Sequence, residues 1–367
     1  MSILFSPAQI GNMTLKNRFV RSATWENMAT EEGYMTEKLY DIYEELAKGD
    51  VGLIVTGYAN IVEDEKPNAG MMGIYNDSFI EGYKKLTDLV HQYDAKIVKQ
   101  IAYGGTKTTY NLGERVIFAP SEIPERGTNT LGKAMSKDEI NLIVDAFAEA
   151  SLRAKKSGFD GVEIHAAHTY LINQFLSPYY NRRDDEYGGS LENRMRFLVE
   201  IYEKTRDLVG EDFPILIKLT ATEFFEGGQS FEQTRAICKK LEQLGVDAII
   251  VSGNIHGKAS EMVGESFDGY TLQQEGYFHE YGHVISQDVN VPVITVGGLS
   301  DFDAIENIAN NTGIDFFAVS RPLLAEPQLI RRWKEGDRAP VDCERCSKCR
   351  TKRGNFCVVF KRRKKQR

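Results

Sequence analysis

The sequence lacks long apolar runs, and outside its last part it has almost no cysteine. No apolar run approaches the roughly 18 residues needed to span a bilayer, and no basic segment precedes the short apolar stretch near the start. We therefore expect neither a membrane span nor a signal peptide. Four of the five cysteines fall within residues 342–357. Because neither a membrane span nor a signal peptide is expected, we expect a cytoplasmic location, where these thiols stay reduced and available for metal or redox chemistry.

Two common nucleotide-binding signatures are also missing. No GxGxxG turn follows an early apolar run, and no Walker A loop occurs. Their absence argues against the open, doubly wound sheets that use these loops to hold phosphates.

Basic residues are scarce over most of the chain. The sequence holds 45 Lys and Arg against 53 Asp and Glu, but residues 331–367 contain 15 of the basic and only 4 of the acidic ones. The remaining body is strongly acidic and should repel nucleic acid. We expect no nucleic-acid partner and interpret the basic end as a solvated tail.

What the sequence does contain is an alternation of short apolar runs with helical patterns. The runs are rich in Val and Ile and are bounded by Gly, Pro or polar residues, as is typical of strands buried on both faces. There are eight of them, at residues 17–23, 51–59, 95–102, 161–167, 214–221, 247–253, 292–298 and 315–321. Eight strand–helix units predict an α/β fold, the (β/α)8 TIM barrel. We assign residues 1–340 to this barrel and residues 341–367 to a Cys-rich, basic C-terminal extension.

The helical patterns carry start and stop signals of their own. Ser136 followed by Glu139 is a capping box, and Gly158 lies just past the end of that pattern. Two further helical patterns begin at Ser190 and Ser230, each with a serine cap before it and a glycine just past its end. These signals place helices between the predicted strands.

Chemically active side chains follow the fourth run. In a TIM barrel the functional residues collect at the C-terminal ends of the strands, and here His165, His168 and Tyr170 occupy that position. Two imidazoles can donate hydrogen bonds to one oxygen of a carbonyl or phenolate, and a nearby phenol can deliver a proton. Packed core side chains are the structural alternative. A zinc site would need a third ligand, for which His256 is the candidate.

Polar residues also interrupt the third and fifth runs. Lys218 lies in an apolar run, where a lysine is costly unless it meets an anion at the barrel mouth. Gln100 offers a buried amide that can pair with the edge of a pyrimidine. The alternatives are a lysine that reaches solvent and an amide bonded to backbone.

The seventh and eighth runs end in the parts of a phosphate site. Gly297 and Gly298 follow the seventh run, and Ser320 and Arg321 precede a helix after the eighth. Arg321 would supply charge-assisted hydrogen bonds. A phosphate site, a buried cation, a buried amide and a His/His/Tyr cluster together favour FMN lying across the barrel mouth.

The longest of these motifs resembles a known family. Residues 158–197, GFDGVEIHAAHTYLINQFLSPYYNRRDDEYGGSLENRMRF, resemble the hallmark of the old yellow enzyme family of FMN-dependent oxidoreductases. The stretches LFSPAQIGNMTLKNRFVRSAT, GGLSD and SRPLLAEP are similar to it too, so the resemblance covers residues 3–335. It implies a barrel with bound FMN, reduced by NADH or NADPH, that passes a hydride to the β-carbon of an enone or a similar activated alkene.

The resemblance also implies roles for individual residues. His165 and His168 match the pair that holds the carbonyl oxygen, and Tyr170 matches the proton donor. The positions that match the flavin-binding residues are Ser22, Ala23, Thr24, Trp25, Gly57, Gln100, Lys218, Gly297, Gly298, Ser320 and Arg321. Trp25 stands where many members carry Thr or Cys, and Tyr103 to Thr106 replace a His-x-Gly-Arg motif. These departures leave FMN binding as the resemblance implies it, but the resemblance does not define the flavin potential or the substrate choice of this chain.

The cysteines of the extension are spaced like metal ligands. Cys343, Cys346 and Cys349 have C-x2-C-x2-C spacing, and Cys357 follows. Thiolates at this spacing can bind a [4Fe–4S] cluster or zinc. They resemble the cluster ligands of the trimethylamine dehydrogenase and 2,4-dienoyl-CoA reductase branch, although the last gap is shorter here. Free thiols or a redox pair are the alternatives.

Three functions remain open on the sequence alone. The first is an FMN-dependent ene-reductase using NADH or NADPH. The second is a flavin dehydrogenase that passes electrons through a C-terminal iron–sulfur cluster to a partner, and the third is a flavin-binding protein without turnover. The expected partners are a small-molecule substrate and a nicotinamide nucleotide, with no nucleic acid and no membrane; a homo-oligomer is left open.

Overall fold

Eight parallel strands form a closed barrel. The computed structural model describes residues 2–253, 275–346 and 348–359. We number the barrel strands β1 Phe19–Arg21, β2 Leu53–Val55, β3 Lys96–Ala102, β4 Gly161–Ala166, β5 Ile215–Thr220, β6 Ala248–Ser252, β7 Val293–Val296 and β8 Phe316–Val319. Each strand pairs in parallel with the next along the chain, and β8 pairs with β1 to close the ring. The predicted TIM barrel is confirmed.

Helices surround this barrel. In the described residues they are α1 Glu37–Lys48, α2 Ile80–His91, α3 Lys137–Lys156, α4 Leu171–Leu176, α5 Leu191–Val209, α6 Phe231–Leu244, α7 His279–Asp288, α8 Phe302–Asn311, α9 Arg321–Ala325 and α10 Leu329–Lys334. The capping box of α3 is present, because Ser136 Oγ accepts from the Glu139 N–H and Glu139 accepts from the Ser136 N–H. Among the described residues, none of the helices combines the length and the apolar character of a membrane span.

Short strands and turns complete the architecture. One-turn 3-10 helices lie at Ile3–Phe5 and Asp77–Phe79. The strand pairs outside the barrel ring are Ala8–Ile10 with Met13–Leu15, Ala59–Asn60 with Met72–Gly73, and Phe118–Ala119 with Lys133–Ala134. The hairpin Ala8–Leu15 buries Ile10, Met13 and Leu15 in one cluster with inward strand residues, so it closes the N-terminal end of the barrel.

The barrel interior changes from apolar to polar along the strands. Inward residues alternate with outward ones because side chains of a strand point to opposite faces in turn. Val98 and Leu216 belong to the apolar inner cluster. Two residues further along the same strands stand Gln100 and Lys218, both buried. The C-terminal mouth is therefore lined with polar groups while the opposite end is an apolar core.

A lysine is buried on the outer face of β3. Lys99 is fully shielded from solvent, with its Nζ 3.5 Å from Met72 Sδ and 4.2 Å from the centroid of the Tyr83 ring. The described residues give it no carboxylate in ion-pair contact. Burial lowers the pKa of Lys99 to about 7, although the charge of Glu26 opposes this shift.

This lysine predicts a pH-dependent stability. In the unfolded chain Lys99 keeps its proton up to about pH 10.4, whereas the folded chain loses it near pH 7, so stability increases with pH between these values. We expect the free energy of unfolding to gain about 2 kcal/mol from pH 8 to pH 9.5 through this group. Lys99→Met should remove that gain and be more stable than the parent at pH 7, as measured by urea unfolding. Lys84→Met, at an exposed site on α2, should keep the parent's pH dependence; the same profile for all three chains would contradict the prediction.

Candidate active site

Three predicted side chains meet at the end of β4. The ring centroid of His165 lies 5.0 Å from that of His168 and 4.6 Å from that of Tyr170. His165 and Tyr170 are buried, at 4% and 7% exposure. Tyr170 is the residue before α4, so the strand, its turn and the helix start bring the three rings together.

An unusual backbone turn places the second histidine. His168 and Thr169 both have left-handed φ angles, of 61° and 62°, which are strained for residues other than glycine. Side chains compensate: the His168 N–H donates to Thr220 Oγ1 at 2.9 Å and the Thr169 N–H to Asn173 Oδ1 at 2.7 Å. The turn brings His168 Nε2 to 2.8 Å from Ser252 Oγ at the end of β6.

The protonation states suit a site that binds a polar oxygen. Burial, with a smaller contribution from Lys218, holds the pKa of His165 well below its usual range, so its imidazole is neutral. Its Nδ1 is buried and has no hydrogen-bond partner in the described part of the chain. Burial raises the pKa of Tyr170 to about 12, so its phenol keeps its proton at neutral pH. A bound oxygen atom would satisfy the orphaned nitrogen.

A lysine, a glutamate and a glutamine share the barrel interior beneath these rings. Lys218 is 3% exposed and Glu163 is 1% exposed, so Lys218 does not reach solvent. Burial lowers the pKa of Lys218 and raises that of Glu163, and the attraction between the two charges opposes both shifts. The Gln100 amide donates to the Glu163 carboxylate rather than to backbone. Lys218 Nζ lies 3.3 Å from Ser22 Oγ, so its charge faces the loop after β1.

A cavity of about 250 Å³ opens between these strand ends. Eight of the predicted catalytic and flavin-binding residues line it: Ser22, Ala23, His168, Lys218, Gly297, Gly298, Ser320 and Arg321. The predicted catalytic and flavin-binding residues that do not line it are Thr24, Trp25, Gly57, Gln100, His165 and Tyr170. The structure therefore places the predicted phosphate-binding residues and the buried Lys218 around one cavity, and His168 also lines it.

One end of this cavity has the donors of a phosphate site. Gly297 and Gly298 adopt φ angles of 134° and 69°, which other residues rarely take. The Tyr277 hydroxyl accepts hydrogen bonds from the Gly298 N–H and from Arg321, which oppose the rise in its pKa caused by burial. A backbone N–H and a guanidinium thus converge on one oxygen position, as they do on a phosphate oxygen. The residues present fit the phosphate of FMN.

The loop after β1 forms the neighbouring wall. The Ser22 N–H donates to the Val319 carbonyl at 3.0 Å, and the hydroxyls of Thr24 and Ser320 lie 3.0 Å apart. The position of this loop beside the cavity fits the flavin-binding role that the family resemblance implies for Ser22, Ala23 and Thr24. The contact between Thr24 and Ser320 connects this loop to the phosphate end of the cavity.

Trp25, in the same loop after β1, packs against an apolar cluster. Its neighbours include Tyr58, Met71 and Tyr170, and its indole N–H donates to the Ala69 carbonyl at 3.0 Å. The rings of Tyr58 and Tyr170 meet edge to face with centroids 5.8 Å apart. Trp25 therefore packs with the predicted proton donor, which places it on the predicted substrate side of the site.

Gly57 has a packing reason of its own. A Cβ atom at this position would lie 2.1 Å from Glu26 Oε2, and the Gly57 N–H donates to the Tyr43 hydroxyl at 2.9 Å. Glu26 in turn forms a buried ion pair with Arg21 at 2.7 Å. This network explains the glycine without a ligand, and its contact with flavin stays a prediction.

The cysteines of the extension lie near one another. Burial raises the pKa of Cys343 and of Cys349, and each of these thiols interacts electrostatically with Cys346 and Cys357. Cys343 also lines the cavity. In the described ranges, however, no three His, Cys, Asp or Glu side chains are arranged as metal ligands. The donor type fits a cluster or zinc while the arrangement does not, so the metal stays a prediction; His256 lies outside the described residues.

Several residues of the site were missed from the sequence. Glu163 could have been found by the reasoning applied to Lys218, because it too is a charged residue within an apolar run. Ser252, Tyr277 and Arg345 give no local signal. They reach the site only through the fold, from the end of β6, the turn before α7 and the extension.

Comparison with known proteins agrees with the geometry. Residues 3–339 match the family described as "NADH:flavin oxidoreductase / NADH oxidase family". The chain is 37% identical over 94% of its length to an NADH oxidase of Thermoanaerobacter brockii, covering 52% of that protein. It is 35% identical over 89% of its length to an NADPH dehydrogenase of a Geobacillus species, covering 92% of it. The chain spans about half the length of several curated relatives that it matches.

A solved structure shares the architecture. The old yellow enzyme homologue from Zymomonas mobilis superimposes with a TM-score of 0.79 at 26% identity, over 92% of this chain and 93% of that one. The resemblance seen in the sequence is confirmed.

Proposed function

We propose a function from one premise: this chain belongs to the NADH:flavin oxidoreductase / NADH oxidase family. It binds FMN, takes electrons from NADH or NADPH, and reduces the C=C bond of an α,β-unsaturated carbonyl compound. When bound, FMN supplies the hydride carrier between nicotinamide and alkene. The observation that carries the alkene step is the cluster of His165, His168 and Tyr170 at the barrel mouth, with rings 4.6 and 5.0 Å apart.

Each member of this cluster has a task that its environment supports. His165 is neutral and its buried Nδ1 has no described partner, so it can bond the carbonyl oxygen of a substrate. His168 borders both the cavity and Ser252, which orients its ring. The protonated phenol of Tyr170 can give its proton to the α-carbon as the β-carbon receives hydride. Hydrogen bonds to the carbonyl oxygen stabilise the charge that develops there.

The cavity would hold the cofactor. Arg321 and the Gly298 N–H would bind the phosphate, and Lys218 would face the pyrimidine side of the ring, where negative charge accumulates on reduction. Gln100 is held by Glu163, which fixes its amide in the same layer of the barrel. Ser22, Ala23 and Thr24 would support the ring from the loop after β1.

The test is a spectrum of freshly purified protein followed by separate half-reactions. We expect the absorption of bound oxidised flavin, bleaching on anaerobic addition of NADH or NADPH, and recovery on addition of 2-cyclohexenone. A chain that takes up no FMN would contradict the proposal. Flavin that bleaches but is not reoxidised by any enone would limit the function to flavin reduction, and flavin that no nicotinamide reduces would favour binding without turnover.

A second candidate is a dehydrogenase that passes electrons through the extension to a partner. The observation in its favour is Cys343, which lines the same cavity while interacting with the other three thiols. Iron and sulfide analysis of the same sample distinguishes the two functions. Stoichiometric iron and sulfide would favour the dehydrogenase, and their absence would leave the ene-reductase.

A further inference from the structure

The C-terminal extension packs onto two loops of the barrel mouth. The Asn355 N–H donates to the Glu26 carbonyl at 2.7 Å, and its side-chain amide donates to the Trp25 carbonyl at 2.6 Å. On the other side, Arg345 Nη2 donates to the Gly298 carbonyl at 3.2 Å and to Ser300 Oγ at 2.6 Å. The extension thus spans from the loop after β1 to the loop after β7.

Arg345 belongs to the wall of the cavity. It lines the space together with Gly297, Gly298 and Arg321, and its side chain is 18% exposed. It also forms an ion pair with Glu275, whose carboxylate accepts from the Ser300 N–H at 2.9 Å. The guanidinium is therefore held against the loop that carries the predicted phosphate donors.

Two arginines lie at this end of the cavity. Arg321 and Arg345 line it together, and Arg345 is also paired with Glu275. A guanidinium presents its N–H donors as a planar fork that matches phosphate oxygens. The hydroxyl of Tyr277, between Arg321 and the Gly298 N–H, marks where an oxygen is held.

The backbone at Arg345 adds a second, independent observation. Its φ angle is +51°, in the left-handed region where glycine fits without strain and an arginine does not. The local backbone alone would favour glycine at this position. The side chain's contacts with the loop after β7 compensate for this strain, as is common where a strained residue serves a site.

We propose that Arg345 is a second phosphate ligand for FMN, supplied by the C-terminal extension and acting beside Arg321. This assignment rests on the proposed function and names a contact within it. It makes the extension part of the cofactor site. Arg345, which lies between Cys343 and Cys346, then belongs to the phosphate-binding end of the cavity.

The experiment compares FMN with riboflavin, which has the same ring and no phosphate. Both are titrated against the flavin-free full chain by quenching of flavin fluorescence, for the parent, Arg345→Gly and Arg345→Lys. Arg345→Gly removes the charge and also relieves the backbone strain, so the fold is retained. We expect its Kd for FMN to rise about tenfold or more while its Kd for riboflavin changes less than about twofold. Arg345→Lys should fall between, because it keeps the charge and loses the fork.

Arg338→Ala is the matched control, since this exposed arginine pairs with Asp303 on the surface; it should bind both flavins as the parent does. Equal weakening of FMN and riboflavin by Arg345→Gly would overturn the assignment, as would an unchanged Kd for FMN. A parent that binds neither flavin overturns the proposed function and this assignment with it. A parent that prefers FMN, with a variant that keeps the same preference, overturns the assignment alone.

Discussion

Tyr170→Phe is expected to slow alkene reduction by about two to three orders of magnitude while leaving the reduction of bound flavin by NADH or NADPH at the parent rate. The reason is that the variant keeps the ring contact with His165, at 4.6 Å between centroids, and loses the hydroxyl that carries the proton and bonds Tyr58. Stopped-flow measurement of the two half-reactions separates the effects. Proton delivery to carbon belongs to the alkene step, so flavin reduction should not respond.

The rate of alkene reduction also has an expected pH dependence. Burial raises the pKa of Tyr170 to about 12, so the phenol is the acid over the whole range in which the protein is assayed. Burial holds His165 neutral well below pH 6.5. The rate of alkene reduction should therefore show no titration of Tyr170 or of His165 between pH 7 and pH 9.

Tyr103→Phe provides the control for this variant. Tyr103 is also a buried tyrosine, at 4% exposure, but it stacks on Phe118 rather than on the histidines. Its variant loses a hydroxyl from the same part of the molecule and should retain both half-reactions. If Tyr170→Phe and Tyr103→Phe behaved alike, or if Tyr170→Phe kept the alkene step, Tyr170 would not be the proton donor.

Much of the fold could be predicted from the sequence because its signals are local. A strand buried on both faces needs an unbroken apolar run, and each of the eight runs contains a barrel strand. The capping box at Ser136 is likewise a contact between residues three apart. Such patterns are present in the sequence before any tertiary contact forms.

The ends of the strands were harder to predict. The run at 51–59 predicts a longer strand than β2 Leu53–Val55. The apolar character continues past Val55, but the Gly57 N–H is taken by the Tyr43 hydroxyl instead of a neighbouring strand. The composition of the run does not show where the strand's hydrogen bonding ends, because the acceptor that takes the Gly57 N–H is a side chain of α1, Tyr43.

The site could be predicted where one strand carries its residues, and not where the fold assembles them. His165, His168 and Tyr170 follow one strand, so their proximity is readable from the sequence. The partner of Gln100 is Glu163, which is opposite it in the register of β3 with β4. Arg345 reaches the cavity from beyond the barrel, and no spacing in the sequence relates it to Gly298. Contacts of this kind depend on the path of the chain.

Lys218→Met should be the most destabilising single substitution in the barrel interior. The variant removes one partner of the buried charges Lys218 and Glu163 and leaves a carboxylate without its cation, which typically costs about 3–5 kcal/mol of unfolding free energy. Glu163 responds by taking up a proton, because burial already raises its pKa and the opposing attraction of Lys218 is gone.

The sign of the pH dependence follows from that proton. A glutamate with a raised pKa in the folded state binds a proton that the unfolded chain has already lost, so stability decreases as pH rises above about 4.3. The loss caused by Lys218→Met should therefore be larger at pH 8 than at pH 5 in urea unfolding of the flavin-free chain. FMN binding should weaken as well, since the cation that faces Ser22 is gone.

The double variant Lys218→Met with Glu163→Gln separates charge from packing. A neutral amide beside Gln100 leaves no buried charge, so this chain should recover most of the lost stability and lose the extra pH dependence. Recovery of stability without recovery of FMN binding would show that the lysine is kept for the cofactor rather than for the fold. Equal instability of the single and double variants, at every pH, would show instead that the lysine stem is needed for packing and that the attraction to Glu163 contributes little.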